Sequence, residues 1–201
     1  MAVTRRQFLE TGLSVSFVGL APQGFGEFLT PTVPCKDDKP TPAARPDVPF
    51  SSGAPERIDI VRPAAGATAL TITGFVVGLK CGGIKGARVD IWHADAKGAY
   101  PQGAAALRAF QVTDAKGKFV FGSVMPGAAA GKPRVLNIRV QTFTPAKAEL
   151  TTVLFFPDDA LKGKDPRFKP VLELKMSGAG TSQTGRFDVL LDLKLLHCRE
   201  C

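Results

Sequence analysis

Few side chains in this sequence are equipped for chemistry at a metal or as a nucleophile. Among 201 residues there is one tyrosine, Tyr100, and there are two histidines, His93 and His197. Four cysteines, Cys35, Cys81, Cys198 and Cys201, complete the set. Cys198 and Cys201 have the C-x-x-C spacing of a redox pair or half a zinc site. Only His197 lies near them and no second pair exists, so structural pairing or free thiols is the reading taken. Four cysteines admit three connectivities and the sequence does not choose among them. One arrangement ties Cys35 to Cys81 or to the tail; bonds between chains stay open as well.

The elements that must position Tyr100 are better defined. In the stretch from Cys81 to Tyr100, CGGIKGARVDIWHADAKGAY, Ala87, Val89 and Ile91 alternate with Arg88, Asp90 and Trp92. That two-residue period belongs to a strand with one buried face. Gly82 and Gly83 make a turn before it, and Asp95, Lys97 and Gly98 another after it, so Tyr100 lies just past a turn, where a side chain can enter a cleft. Further strands are predicted over residues 70–79, 117–121, 135–143, 150–156 and 185–196. Leu136, Ile138 and Val140 form one apolar face opposite Asn137, Arg139 and Gln141. Residues 157–170 read as a charged loop with one helical turn, and residues 177–184, SGAGTSQT, as a flexible hairpin connection before the last strand. Short strands punctuated by Gly, Pro and Asp turns argue an all-β sandwich.

The segment from Gly86 to Tyr100, followed by Leu107, Arg108, Gln111, Thr113, Asp114, Gly117 and Phe119, resembles the intradiol ring-cleavage dioxygenases. These are β-sandwich enzymes that open catechol rings with molecular oxygen at a non-haem ferric centre. The resemblance extends back to Pro40, Thr41, Pro42 and Phe50 and forward to Leu150, Thr151, Thr152, Phe156 and Asp159. It implies an antiparallel β-sandwich with an extended N-terminal arm, and Fe(III) held by two tyrosines and two histidines.

Tyr100 stands where the first tyrosine belongs. The second normally follows a Pro-Gly turn; here the turn is Pro126-Gly127 and the matched position is Ala129. The His-x-His pair is matched by Val135 and Asn137. With a single tyrosine in the chain, no shift of the alignment restores the missing phenol. His93 falls in the family's Trp-His-Ala-Asp segment, where histidine is not an iron ligand, and a strand-edge role is expected. Three of the four ligands are therefore absent, a set not suited to ferric iron, and no cofactor is expected. Arg108 and Gln111 match residues that line the family's substrate cleft. Arg134 and Arg139 add positive charge nearby. A vestigial cleft edged by Tyr100, Arg108, Asn137 and Arg139 would suit a small anion or aromatic acid. The plainer reading is a salt-bridged Arg108 and a packed Tyr100.

The remaining sequence bears on location and partners. Thr4-Arg5-Arg6-Gln7-Phe8-Leu9, followed by a modest apolar run, resembles a bacterial twin-arginine export signal, which points to a periplasmic or exported protein. The run is too short and too interrupted by Gly and Ser to span a bilayer. Residues 1–26 are thus read as signal or tail, 27–63 as a Pro-rich arm over the domain surface with an edge strand near 57–61, and 64–201 as the sandwich. The formal charge of +8 is scattered rather than blocked, which argues against a nucleic-acid site. The expected function is a non-catalytic exported accessory or structural subunit with a protein partner or a second copy of itself. The alternatives are a periplasmic binding module for an aromatic acid or anion, and a non-haem iron aromatic-ring dioxygenase.

Overall fold

Strand-forming sequence alternates along most of the body, and the strands follow from it. The computed structural model describes residues 39–63, 65–79, 82–103, 106–143 and 147–193. The export-type N-terminus, all four cysteines and His197 lie outside the described residues. Among the described residues nine strands form two sheets. They are β1 (Ala69–Gly78), β2 (Arg88–His93), β3 (Arg108–Val112), β4 (Lys118–Val124), β5 (Val135–Thr142), β6 (Ala148–Phe155), β7 (Lys175–Ala179), β8 (Ser182–Arg186) and β9 (Val189–Leu191). One sheet has the order β4-β1-β8-β7, with β9 also on β1; the other has the order β3-β2-β5-β6. Between them Leu70, Ile72, Val89, Ile91, Phe119, Phe121, Leu136, Ile138, Val140 and Leu154 make the core. Burial of these apolar faces is the main favourable term in holding the layers together. The described helical pieces are two short 3-10 turns, Lys162–Lys164 and Pro170–Leu172. Among the described residues no helix is long and apolar enough to cross a membrane.

Three features differ from the sequence reading. A strand, β3, lies where none was predicted. Residues 177–184 mostly pair, β7 with β8, and the turn is confined to the region around Gly180. The last predicted strand is two, because β8 and β9 each pair parallel to a different half of β1. At the break the Asp188 carboxylate accepts from Phe75 N at 3.1 Å, standing in for a ladder bond. The first sheet is therefore mixed, while the second is antiparallel throughout.

Residues 41–60 of the arm run along the open edges of the sandwich. Thr41 N donates to Leu190 O of β9 at 2.9 Å, and Ala44 N to Thr151 O of β6 at 3.1 Å. Further on, Phe110 of β3 bonds to Pro55 and Arg57, and Gly122 of β4 to Ile58 and Ile60. The edge strand predicted near 57–61 is thus a pair of isolated bridges, Glu56 to Phe110 and Asp59 to Gly122. Backbone groups that would otherwise stand bare at the sheet edges are satisfied by the arm. Among the described residues, β7 is the outer strand to which the arm makes no such bond.

Candidate functional site

Strands β2 and β5 lie side by side in the second sheet, with Trp92 opposite Asn137 and Asp90 opposite Arg139. Alternation sends these four side chains to the face away from the core. After β2 the chain turns on Asp95, whose carboxylate accepts from Lys97 N at 2.8 Å and Ala99 N at 2.9 Å. Gly98 takes a φ of +84° there. A Cβ on Gly98 would lie 2.3 Å from Ala128 O, and one on Gly127 would lie 2.3 Å from Ala96 O. Only glycines allow the two loops to touch backbone to backbone. That contact brings the segment carrying Ala129 against the one that ends in Tyr100.

Asn137 is fully buried, at 0% exposure, and uses its whole amide. Nδ2 donates to Trp92 O at 3.1 Å and to Tyr100 Oη at 3.0 Å. Oδ1 accepts from Asp47 N at 3.2 Å, which brings in the arm. Burial pushes the half-buried Tyr100 phenol up to about 12, partly offset by the hydrogen bond that Asn137 gives it. At neutral pH this is a phenol, not a phenolate.

Arg139 does not edge an open cleft. Its guanidinium bonds Glu149 at 2.9 and 3.0 Å, lies 3.7 Å from the buried Asp90, and sits under the Phe50 ring with 4.3 Å to the centroid. Asp90 is held in turn by Arg88 at 2.8 Å. Gln111 faces neither Tyr100 nor Asn137. Its amide bonds both backbone groups of Val120, donating to the carbonyl and accepting from N at 3.1 Å, so it sutures β3 to β4 across the two sheets. Arg134 is occupied by Asp158 at 2.7 Å and Asp159 at 3.4 Å. Arg108 is half-buried and near enough to Tyr100 to act on its ionisation, and among the described residues it makes no ion pair. His93, expected at a strand edge, is instead buried at the end of β2. Nδ1 donates to Ala94 O at 2.7 Å and Nε2 accepts from Ser123 Oγ at 2.7 Å, and desolvation lowers its pKa to about 4.

Sequence reasoning missed the arm's part in this site. Asp47 N reaches Asn137, Val48 O accepts from Trp92 Nε1 at 2.9 Å, and Phe50 packs edge-on against Trp92 with 5.8 Å between centroids. Arg167 was also missed. It grips Asp165 at 2.6 Å, Asp47 at 2.8 Å and Arg45 O at 2.9 Å. The partners Arg45 and Arg167 are 122 residues apart, and no local pattern announces such a pairing.

The family's ferric centre does not fit these side chains. Ala129 and Val135 have no donor atom, Asn137 has spent its amide on protein partners, and Tyr100 offers one oxygen already bonded to Asn137. Among the described residues no group of three or more His, Cys, Asp or Glu is placed to hold a metal ion.

A family model described as Dioxygenase matches residues 49–192. Among solved structures, the dioxygenase domain of a dioxygenase carbohydrate-binding protein fusion from Streptomyces sp. SirexAA-E is 33% identical, with 77% of this chain and 99% of that one covered at a TM-score of 0.71. Hydroxyquinol 1,2-dioxygenase from Pseudomonas putida DLL-E4 has 18% identity, coverage of 79% and 68%, and a TM-score of 0.67. An intradiol ring-cleavage dioxygenase from Tetranychus urticae has 21% identity, coverage of 80% and 96%, and a TM-score of 0.65. These last two share the fold. No curated protein in the comparison matches the chain. The family match across most of the sandwich, together with the identity to the Streptomyces domain, means that this chain belongs to the intradiol ring-cleavage dioxygenases, as a degenerate member that keeps Tyr100 but has Ala129, Val135 and Asn137 at the other three ligand positions.

Proposed function

We propose that the protein is a non-catalytic, exported accessory or structural subunit built on the dioxygenase sandwich. The observation that carries this reading is the state of Asn137. At a position where the family resemblance implies a metal-binding imidazole, an amide makes three protein hydrogen bonds and is sealed from solvent. Export rests on the twin arginines Arg5 and Arg6, and a partner role on the formal charge of +8, which suits an acidic protein. The test is to purify the full chain from its own periplasm in mild buffer, then measure iron, oxygen uptake with catechol, and co-eluting proteins. A stoichiometric partner without iron supports the reading. Stoichiometric iron with oxygen-dependent ring opening overturns it.

One observation favours a second reading, an anion-binding module. Beside the site is a groove of about 350 Å³ lined by Asp47, Lys132, Pro133, Leu161, Lys164 and Arg167, among others. That volume suits a small ligand; the Asp47 and Asp165 carboxylates in its lining are paired with Arg167, which leaves Lys132 and Lys164 for an anion beside Pro133, Leu161 and Pro166. Calorimetry with benzoate should show saturable binding that is lost in the Lys132→Ala/Lys164→Ala double variant; no heat with the native chain ends this reading.

A further inference from the structure

We infer that residues 45–50 are an intramolecular strap, latched by Arg167 at one end and by Asn137, Trp92 and Arg139 at the other, which shuts the groove off from the Tyr100–Asn137 centre.

The strap is built from contacts that each join the arm to a different part of the body. Arg167 reaches it from the loop before β7, binding the Asp47 carboxylate at 2.8 Å and Arg45 O at 2.9 Å. Asp165 holds the other side of that guanidinium at 2.9 and 2.6 Å, so its direction is fixed before the arm arrives. Asn137 takes the Asp47 amide from below at 3.2 Å. Trp92 takes Val48 O, and the ring of Phe50 lies between Trp92 and the Arg139 guanidinium. Pro46 and Pro49 restrict the free segment, which lowers the entropy lost when it docks.

Asp47 has two roles in this arrangement. Asp47 lines the groove together with Arg167, while its backbone N–H is bonded to Asn137. Releasing Asp47 therefore opens the groove toward Asn137 and the Tyr100 hydroxyl bonded to it. The same movement uncovers Trp92, now 2% exposed and the single tryptophan of the chain.

Two readouts follow in the full-length protein. Amide hydrogen exchange reports the strap through Asp47, whose N–H is held by Asn137 Oδ1. Acrylamide quenching reports Trp92. In Arg167→Gln, which leaves the Asn137 acceptor in place, exchange at Asp47 should rise at least about tenfold, and in both Arg167→Gln and Asn137→Ala quenching of Trp92 should increase, with amides of β1 and β4 unchanged. Unchanged exchange in Arg167→Gln, with unchanged quenching in both variants, overturns the strap. So does exchange that rises equally in β1 and β4, because that is loosening of the whole sandwich. Arg167→Gln removes no buried core group, so it keeps the test valid if Asn137→Ala fails to fold.

Discussion

Asn137 gives one amide hydrogen to the hydroxyl of Tyr100 at 3.0 Å and the other to the carbonyl of Trp92 at 3.1 Å, so the chain's only phenol is held by the amide beside it. Because burial favours its neutral form, Tyr100 should ionise near pH 12 in the folded protein, against 10.0 for a free phenol. The contribution to stability is complete below the unfolded value and is lost as pH rises through the folded one. With no other tyrosine to obscure it, ultraviolet absorbance titration measures this directly. A native midpoint near that of the guanidinium-unfolded chain would contradict it.

His93 makes the opposite prediction. Its folded pKa is depressed to about 4 by desolvation, below the ordinary 6.5, so its contribution is present above the unfolded value and drains away as pH falls toward 4. Urea midpoints should therefore drop between about pH 7 and about pH 5. Ser123→Ala, which leaves Nε2 without its donor, should cost about 1 kcal/mol at neutral pH. A His93→Gln variant with the same drop would assign the acid sensitivity elsewhere.

The arginines on the outer face should be unequal to their exposed partner. Arg139→Met strips the 3.7 Å contact from Asp90, whose side chain is 2% exposed, and leaves that carboxylate to Arg88 alone. The expected cost is about 3 kcal/mol. Glu149→Gln removes the charge from a side chain 49% exposed, and should cost at most about 1 kcal/mol because solvent screens it. Chemical denaturation of the two variants checks the order, and equal costs would refute it.

Gln111→Ala should destabilise by about 1–3 kcal/mol, since both backbone groups of Val120 lose their side-chain partner. Thermal melts decide this. If Gln111 served a ligand instead of joining the sheets, the melting temperature would not move.

The sandwich was largely legible because its inner strands alternate cleanly. Leu136, Ile138 and Val140 are all buried as their spacing demands. Strand β3, Arg108–Val112, hid from that logic. Its inward residues are Ala109 and Gln111, while Val112 is 51% exposed, so its apolar pattern is inverted. The Gly- and Ser-rich stretch 177–184 looked like a loop, yet β1 supplies a parallel partner that overrides weak local preference. At the site, the emptied positions Ala129, Val135 and Asn137 were visible from motif spacing. What replaced the metal was not, because Asp47 and Arg167 meet Tyr100 and Asn137 only through the path of the arm.

That path also orders events as the polypeptide leaves the ribosome. Leu190 N donates to Thr41 Oγ1 at 2.9 Å across a sequence separation of 149, a contact that exists only once nearly all of the body has been made. Such distant closures are slow, because loop entropy is lost before any contact rewards it. Residues 41–44 are therefore translated early and settle late, and for that interval the borders formed by β6 and β9 stay bare and open to neighbouring chains.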